Sequence, residues 1–124
     1  MLSQLRDIVE QVSKIEDVHQ ALKVLVKQTC SAMNTECCTV YLANEEMQRL
    51  ELMATQGLRF KGNKIHINFS EGLVGLVKRS AEPLNLAEAS RHPNFKYFSQ
   101  LGEEVYQSFL GTPIIYRKQV LGVL

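Results

Sequence analysis

Three cysteines and three histidines are the residues of this chain that could ligate a metal ion or attack a substrate. They are Cys30, Cys37, Cys38, His19, His66 and His92. No Cys-x-x-Cys pair is present, and Cys37 and Cys38 are neighbours on a predicted strand, so their side chains point to opposite faces of the sheet. We therefore expect no metal site. We interpret the cysteines as buried small residues of a protein in a reducing compartment.

A second candidate for chemistry is the glycine-containing stretch Glu71–Gly75. It lacks the Lys-Ser/Thr ending of a phosphate loop and the spacing of a dinucleotide fingerprint. We expect Gly72 and Gly75 to let a short helix pack closely against a neighbour. Ser70 is the predicted N-cap of that helix, and the free N–H groups of Ser70–Leu73 could hold a carboxylate of a small ligand.

The segment from Ala87 to Tyr106 has no regular period, because His92-Pro93-Asn94 interrupts it. We interpret it as an irregular lid with a short helix. Arg91 is either a solvated loop residue or a cation that reaches an anion in a pocket. Aromatic residues in and after this segment serve as core or as pocket lining; they are Phe95, Tyr97, Phe98 and Phe109.

Two helices are predicted at the start of the chain, where apolar residues recur every three or four positions. The first covers 2–14 and carries an unusually wide apolar stripe. The second covers 17–33. Asp17 with Gln20 three residues later is typical of a capping box, and Asn34 ends the helix.

Alternating apolar and polar residues predict an antiparallel sheet and thus an α+β fold. A hairpin is expected around Arg117-Lys118-Gln119, and its second strand, Val120–Leu124, is expected to be an uncovered edge. A short helix is predicted over 71–79. The predicted strands are 38–43, 49–55, 64–69, 84–86, 112–116 and 120–124.

Length and composition indicate one ordinary globular domain. The 124 residues are 45% apolar and 22% charged, with a formal net charge of +1. This balance gives no electrostatic case for a nucleic-acid or membrane partner. No apolar run approaches the ~18 residues that span a bilayer, and no signal peptide is visible. We expect a cytoplasmic protein.

Three blocks of small apolar residues with glycines at fixed places, Ser70–Val77, Ser108–Ile115 and Val120–Leu124, resemble the signature of the GAF domain, a small-molecule-sensing module. The resemblance implies a three-layer α+β fold over residues 1–124. A central antiparallel sheet would carry the N-terminal helices on one face, and the short helix and lid would roof a pocket on the other. It also implies that the domain is incomplete here, lacking its last strand and C-terminal helix.

The resemblance implies which residues surround the pocket. Val40 and Leu42 would face the helices, whereas Thr39 and Tyr41 would face the pocket. No residue of the chain is assigned a catalytic role. The complete set of expected ligand-binding residues is Thr39, Tyr41, Phe69, Gly72, Leu73, Val74, Leu86, Arg91, Phe98, Phe109 and Thr112.

A denser similarity begins at Met1-Leu2 and continues through Leu5–Glu10, Val40–Ala43 and Leu52–Thr55. These residues resemble the start of the nitrogen-type enzyme I family, the phosphoenolpyruvate-protein phosphotransferases. The similarity implies a regulatory domain that senses nitrogen status, with glutamine or 2-oxoglutarate as candidate ligands. The attached C-terminal phosphotransferase domains, beyond Leu124, would hold the active-site histidine and use Mg²⁺; this chain itself would need no cofactor.

Three hypotheses follow. The chain could be a metabolite sensor that regulates attached domains. It could instead be a structural module that forms a homodimer through its N-terminal helix, whose apolar stripe is wider than one sheet face covers. Thirdly, it could be an enzyme in its own right, as the free methionine sulfoxide reductases of the GAF family are. Their cysteines lie near the lid, and here Ala87–Tyr106 contains none, which disfavours the third hypothesis.

Overall fold

The computed structural model describes residues 2–57, 65–96 and 108–124. Its helices and antiparallel strands confirm the predicted α+β class. The helices are α1 (Leu2–Ser13), α2 (Val18–Met33) and α3 (Gly72–Ser80). The strands are β1 (Cys38–Asn44), β2 (Arg49–Gln56), β3 (His66–Asn68), β4 (Leu84–Leu86), β5 (Phe109–Gly111), β6 (Pro113–Tyr116) and β7 (Gln119–Val123).

The chain divides into two compact units. One holds the residues up to Val40 and those that return at Met53, and the other holds Tyr41–Leu52 with the described residues from Ile65 onward. Each unit is therefore described by itself. In the described residues no helix is both long enough and apolar enough to cross a membrane.

The first unit contains α1 and α2, and local signals fix both ends of α2. The Asp17 carboxylate accepts hydrogen bonds from the backbone N–H groups of His19 at 2.8 Å and Gln20 at 3.2 Å. Such a cap contributes about 1 kcal/mol. Asn34 ends the helix in the left-handed region at φ 53°, which asparagine tolerates. Both predicted ends are thus confirmed.

The main sheet has five strands in the order β3-β2-β1-β7-β6. In β1 and β7, Tyr41 lies opposite Val123 and Leu42 lies opposite Gly122. Strand β7 therefore lies inside the sheet, and the expectation that Val120–Leu124 forms an uncovered edge is wrong. The reason is that β7 pairs on both sides, with β1 and with β6, so its backbone groups are satisfied.

The predicted strand 112–116 corresponds to β6, which begins one residue later, whereas β5, just before it in the chain, was not predicted. Strand β5 pairs with β4 in a small separate sheet, and β6 pairs with β7 in the main sheet. Thr112 lies between them and exchanges two 2.9 Å backbone hydrogen bonds with Leu124. Pro113 has no N–H to donate, so it fits the outer side of β6, an edge strand of the main sheet. The β6–β7 turn is also shorter than predicted, because Gln119 already belongs to β7.

Within the second unit, helix α3 packs closely against the end of β3 at Gly75. A Cβ atom on Gly75 would lie 2.7 Å from the Phe69 carbonyl oxygen, so only glycine fits there, as predicted. The predicted N-cap was wrong by one residue: Glu71 precedes the helix, and Gly72 opens it at φ 66°. Gly72 adopts the left-handed conformation that glycine permits without steric cost, so the chain turns into the helix there.

Six apolar side chains form the core of the second unit. Four of them are essentially inaccessible to solvent: Leu50, Ile67, Val77 and Val123. Burying each such side chain stabilises the fold by roughly 1.5–3 kcal/mol relative to leaving it exposed. The cluster is made of Tyr41, Leu50, Ile67, Phe69, Val77 and Val123, with Ala43, Leu52, Val74, Leu84 and Phe109 packed around it.

Candidate functional site

The structure brings several of the predicted pocket residues together around α3. Tyr41 and Phe69 are members of the core cluster, and Val74 and Phe109 pack against it. Leu73 is also buried, at 7% exposure. Because strand and helix residues converge here, β1 and α3 position the aromatic and aliphatic wall that a pocket in this unit would have.

Other predicted site residues lie around this wall. Gly72 is buried at the start of α3. Leu86 on β4 is half-buried and lies opposite Phe109 of β5. Thr112 is half-buried and bonded through its backbone to Leu124. All three positions lie in the second unit, and their contact with a ligand stays a prediction.

Thr39 belongs to the first unit, unlike Tyr41 two residues later. Its hydroxyl oxygen lies 2.7 Å from that of Thr55, and Thr55 also donates to the carbonyl oxygen of Cys38 at 3.4 Å. The two hydroxyls thus bond to each other on neighbouring strands. Any ligand that bonds to Thr39 would have to share or replace this bond.

Arg91 is exposed on the surface of the second unit. It ends a short 3-10 turn, Ala89–Arg91, and its guanidinium pairs with the Glu88 carboxylate at 2.6 Å, while 82% of its side chain is accessible. An exposed pair of this kind contributes little to stability. Phe98, the remaining predicted site residue, lies outside the described residues.

The N-terminus of α3 carries an ion pair that the sequence analysis did not predict. Glu71 accepts a hydrogen bond from the Asn68 N–H at 3.1 Å, and its other oxygen accepts one from the Lys96 ammonium. The bond from Lys96, followed by that from Asn68, holds the pKa of Glu71 below its usual range; the charge of His66 adds to this effect. Twenty-five residues separate Glu71 from Lys96, so no local pattern could have revealed the pair.

A second unpredicted cation, Lys78 on α3, lies against the aromatic wall. Its ammonium nitrogen is 4.2 Å from the centre of the Phe69 ring and 3.3 Å from the Glu45 carboxylate. Arg79, the next residue, donates from its guanidinium to the Phe69 carbonyl oxygen, so two cations of α3 contact this predicted pocket residue. Helical spacing could have identified Lys78, which follows Val74 by one turn.

The cysteines lie in the first unit, where α2 gives way to β1. The Cys30 thiol donates to the Thr35 carbonyl oxygen at 3.2 Å, and the Thr35 hydroxyl donates to the carbonyl oxygen of Cys37 at 3.2 Å. Burial raises the pKa of the Cys38 thiol to about 11, with smaller effects from Cys30 and Cys37. At neutral pH Cys38 is thus a protonated thiol and a poor nucleophile. Within the described ranges no group of three His, Cys, Asp or Glu residues is placed to hold a metal ion.

A cleft of about 170 Å³ lies between α1 and α2. Sequence analysis did not predict it, because glutamines on a helix face read as solvated surface. The cleft contains amide and carboxylate groups and little apolar surface. Its lining residues are Gln4, Asp7, Ile8, Gln11, Gln28, Ser31 and Ala32.

A family model and the relatives of this chain among known proteins point to the same family. A family model described as the GAF domain matches residues 17–124. A relative from Escherichia coli (strain K12), described as "Phosphoenolpyruvate-dependent phosphotransferase system", is 50% identical over 121 residues, which is 97% of this chain and 16% of the relative. The chain therefore spans about a sixth of the length of the curated relatives it matches.

Two solved structures are similar over nearly the whole chain. The GAF domain from a phosphoenolpyruvate-protein phosphotransferase of Coxiella burnetii is 40% identical, with a TM-score of 0.89 over 98% of this chain and 73% of that one. The corresponding domain from Acinetobacter is also 40% identical, with a TM-score of 0.85 over 98% of this chain and 72% of that one.

Proposed function

The chain belongs to the GAF domain family, and on that premise we propose that it is the ligand-sensing regulatory module of a phosphoenolpyruvate-protein phosphotransferase. Family membership and the GAF fold confirm the resemblance found in the sequence. The observation that carries the proposal is the 40% identity to two GAF domains of such phosphotransferases, over 98% of this chain.

The sensing site of this proposal is the wall formed by Tyr41, Phe69, Val74 and Phe109. Small-molecule sites combine an apolar wall with a few polar groups. Lys78 and Lys96 are cations of this unit that a ligand would share with their present partners, Glu45 and Glu71. Positive charge favours a ligand that carries a carboxylate. We propose a nitrogen-status metabolite, with glutamine and 2-oxoglutarate as the candidates; the second carboxylate of 2-oxoglutarate suits two cations better.

The output of the module is proposed to be phosphotransfer by attached domains of the same cytoplasmic protein. The curated relatives are about six times longer than the matched region, which leaves room for such domains. Those domains would hold the phosphorylated histidine and the Mg²⁺. The residues of this chain would bind the metabolite and bias the attached enzyme.

Thermal unfolding with added metabolites tests the proposal. A ligand at about 100 times its Kd stabilises the folded state by roughly 2.7 kcal/mol, which raises the Tm of a domain of this size by several degrees. We expect 2-oxoglutarate or glutamine to give this shift. Val74→Phe, which adds volume to the proposed wall, should abolish it, whereas Val9→Ala on the exposed face of α1 should not. If neither metabolite shifts Tm in the parent chain, metabolite sensing of this class is wrong.

A second candidate function, a structural module that dimerises through α1, has its own observation. Leu5 and Val9 are 49% and 65% exposed, although Ile8 on the same helix is buried. Together with Val12, their spacing of four and three residues is that of a coiled-coil seam. The seam would associate whether or not a metabolite binds, so oligomeric mass measured with and without ligand separates the two functions.

A further inference from the structure

Two turns of the second unit lie side by side at one end of the main sheet. Strand β1 ends at Asn44, and its antiparallel neighbour β7 begins at Gln119. The β1–β2 turn and the β6–β7 turn must therefore project from the same end of the sheet. Their centres are two strand spacings apart, roughly 10 Å. We call the residues of these turns, Glu45, Glu46, Met47, Tyr116, Arg117 and Lys118, the turn surface.

The turn surface combines exposed apolar side chains with charges of both signs. Met47 is 57% and Tyr116 is 60% exposed. The first turn is acidic and the second is basic. Among the described residues Glu46 and Lys118 have no ion-pair partner, and Arg117 lies 5.2 Å from the Tyr116 ring. Glu45 is the exception, because it pairs with Lys78. Exposed apolar residues beside unpaired charges are typical of a protein–protein contact.

Backbone strain is concentrated in the same two turns. Five non-glycine residues of the described chain have positive φ, and two of them, Asn34 and Ala81, are helix C-caps. The other three are Gln48 (54°), Arg117 (50°) and Lys118 (66°). A two-residue hairpin turn of this kind ordinarily uses Asn-Gly. Two long basic residues there cost stability and hold both cations at the tip, and such strain clusters at functional positions.

We propose that the turn surface is an interface between two copies of this chain. A basic turn beside an acidic turn is self-complementary: a two-fold axis between them places Arg117 and Lys118 of each copy against the acidic turn of the other. Closed symmetric dimers use such isologous contacts. Tyr116, on β6, and Met47, next to β2, lie on opposite sides of this axis, so Tyr116 of each copy would face Met47 of the other and supply the apolar contact. This interface is distinct from the α1 seam and does not depend on ligand binding.

The charge pattern makes the proposal testable by charge exchange. Each substitution acts twice in a two-fold interface, so Lys118→Glu or Glu46→Lys alone should weaken dimerisation by roughly tenfold or more. The chain with both substitutions exchanges the signs and should regain the parent affinity to within about threefold. An equimolar mixture of the two single variants should form heterodimers, although neither variant alone forms homodimers of comparable affinity.

Sedimentation equilibrium of the 124-residue chain gives the measurement. Because the turn surface is small, we expect two copies of the chain to associate through it with a Kd of roughly tens to hundreds of micromolar. Each variant is compared in the parent chain and in a Val9→Asp background, which removes association through α1. Lys27→Glu, an exposed charge reversal on α2, is the control for net charge, and circular dichroism checks folding.

Three results would overturn the proposal. The first is a Val9→Asp chain that stays monomeric at all concentrations up to about 0.5 mM. The second is an association in that background that Lys118→Glu leaves unchanged. The third is a doubly substituted chain no tighter than the single variants, because the loss would then reflect local damage and not paired charges.

Discussion

The ammonium group of Lys78 lies between the Phe69 ring, 4.2 Å from its centre, and the Glu45 carboxylate, 3.3 Å away. This one side chain connects α3 to the end of β3 and to the β1–β2 turn. Its side chain is 19% exposed, so water screens both contacts less than it screens a surface pair.

Lys78→Met keeps most of the aliphatic stem and removes the charge. We expect the free energy of unfolding to fall by about 1 kcal/mol, because both the cation–π contact and the ion pair are lost. Lys27→Met on α2, where the side chain is exposed, should change it by less than about 0.5 kcal/mol. Urea unfolding followed by circular dichroism measures the free energy of unfolding of both variants. Equal losses would show that the contacts of Lys78 with Phe69 and Glu45 do not stabilise the fold.

Gly75→Ala places a methyl group 2.7 Å from the Phe69 carbonyl oxygen. Helix α3 must then move away from the β3 end, and we expect a loss of about 1–3 kcal/mol despite alanine's better helix propensity. The same urea titration measures it. If Gly75→Ala left the free energy of unfolding unchanged or raised it, α3 could shift at no cost, and its close contact with the Phe69 carbonyl oxygen would not determine its position.

Ala81→Gly tests the opposite exchange at the C-cap of α3. Ala81 has φ 56°, where an L side chain is strained and glycine is not. We expect a gain of roughly 0.5–1 kcal/mol. Thermal unfolding should show a higher Tm; a lower one would mean that the alanine methyl makes contacts worth more than the strain.

The carboxylate of Glu71 should contribute to acid sensitivity. Its pKa is lowered in the folded protein by the bonds from Lys96 and Asn68. A lowered folded pKa means that its stabilisation is fully present above the ordinary value of 4.5 and is lost as pH falls through the folded pKa. Glu71→Gln should therefore flatten the pH dependence of unfolding on the acid side. Glu82→Gln, at an exposed glutamate, is the control; identical profiles for the two variants would contradict this assignment.

The α1 seam predicts a second kind of association. A Leu5→Asp, Val12→Asp double variant should have a lower mass by light scattering at tens of micromolar than the parent chain, because it places charges in the proposed seam. The control is Lys14→Asp, because Lys14 directly follows α1 and does not belong to the seam. An unchanged mass in the double variant would remove α1 as a dimer contact.

The ends of α2 and β2 were predicted correctly, because single residues at those ends determine them. Asp17 and Asn34 fixed the ends of α2, and Gly57 ended β2 at φ 94°. The start of α3 was misplaced by one residue because no side chain caps it: the carboxylate of Glu71 accepts from the N–H of Asn68 in β3 and not from the helix. Strand β5 was missed because its 3 residues are too few to show an alternating pattern, and they form a strand by pairing with the distant β4.

The amino-acid sequence alone determined the α+β class, the family and most element bounds, because period, caps and glycine positions are properties of neighbouring residues. Only the tertiary structure decided which strands are edges, which cations approach Phe69 and Glu71, and which turns share one end of the sheet. Those relationships join residues such as Glu71 and Lys96, or Asn44 and Gln119, that are far apart in the chain. Pairing of strands and packing of α3 bring them together, and no sequence window contains both partners.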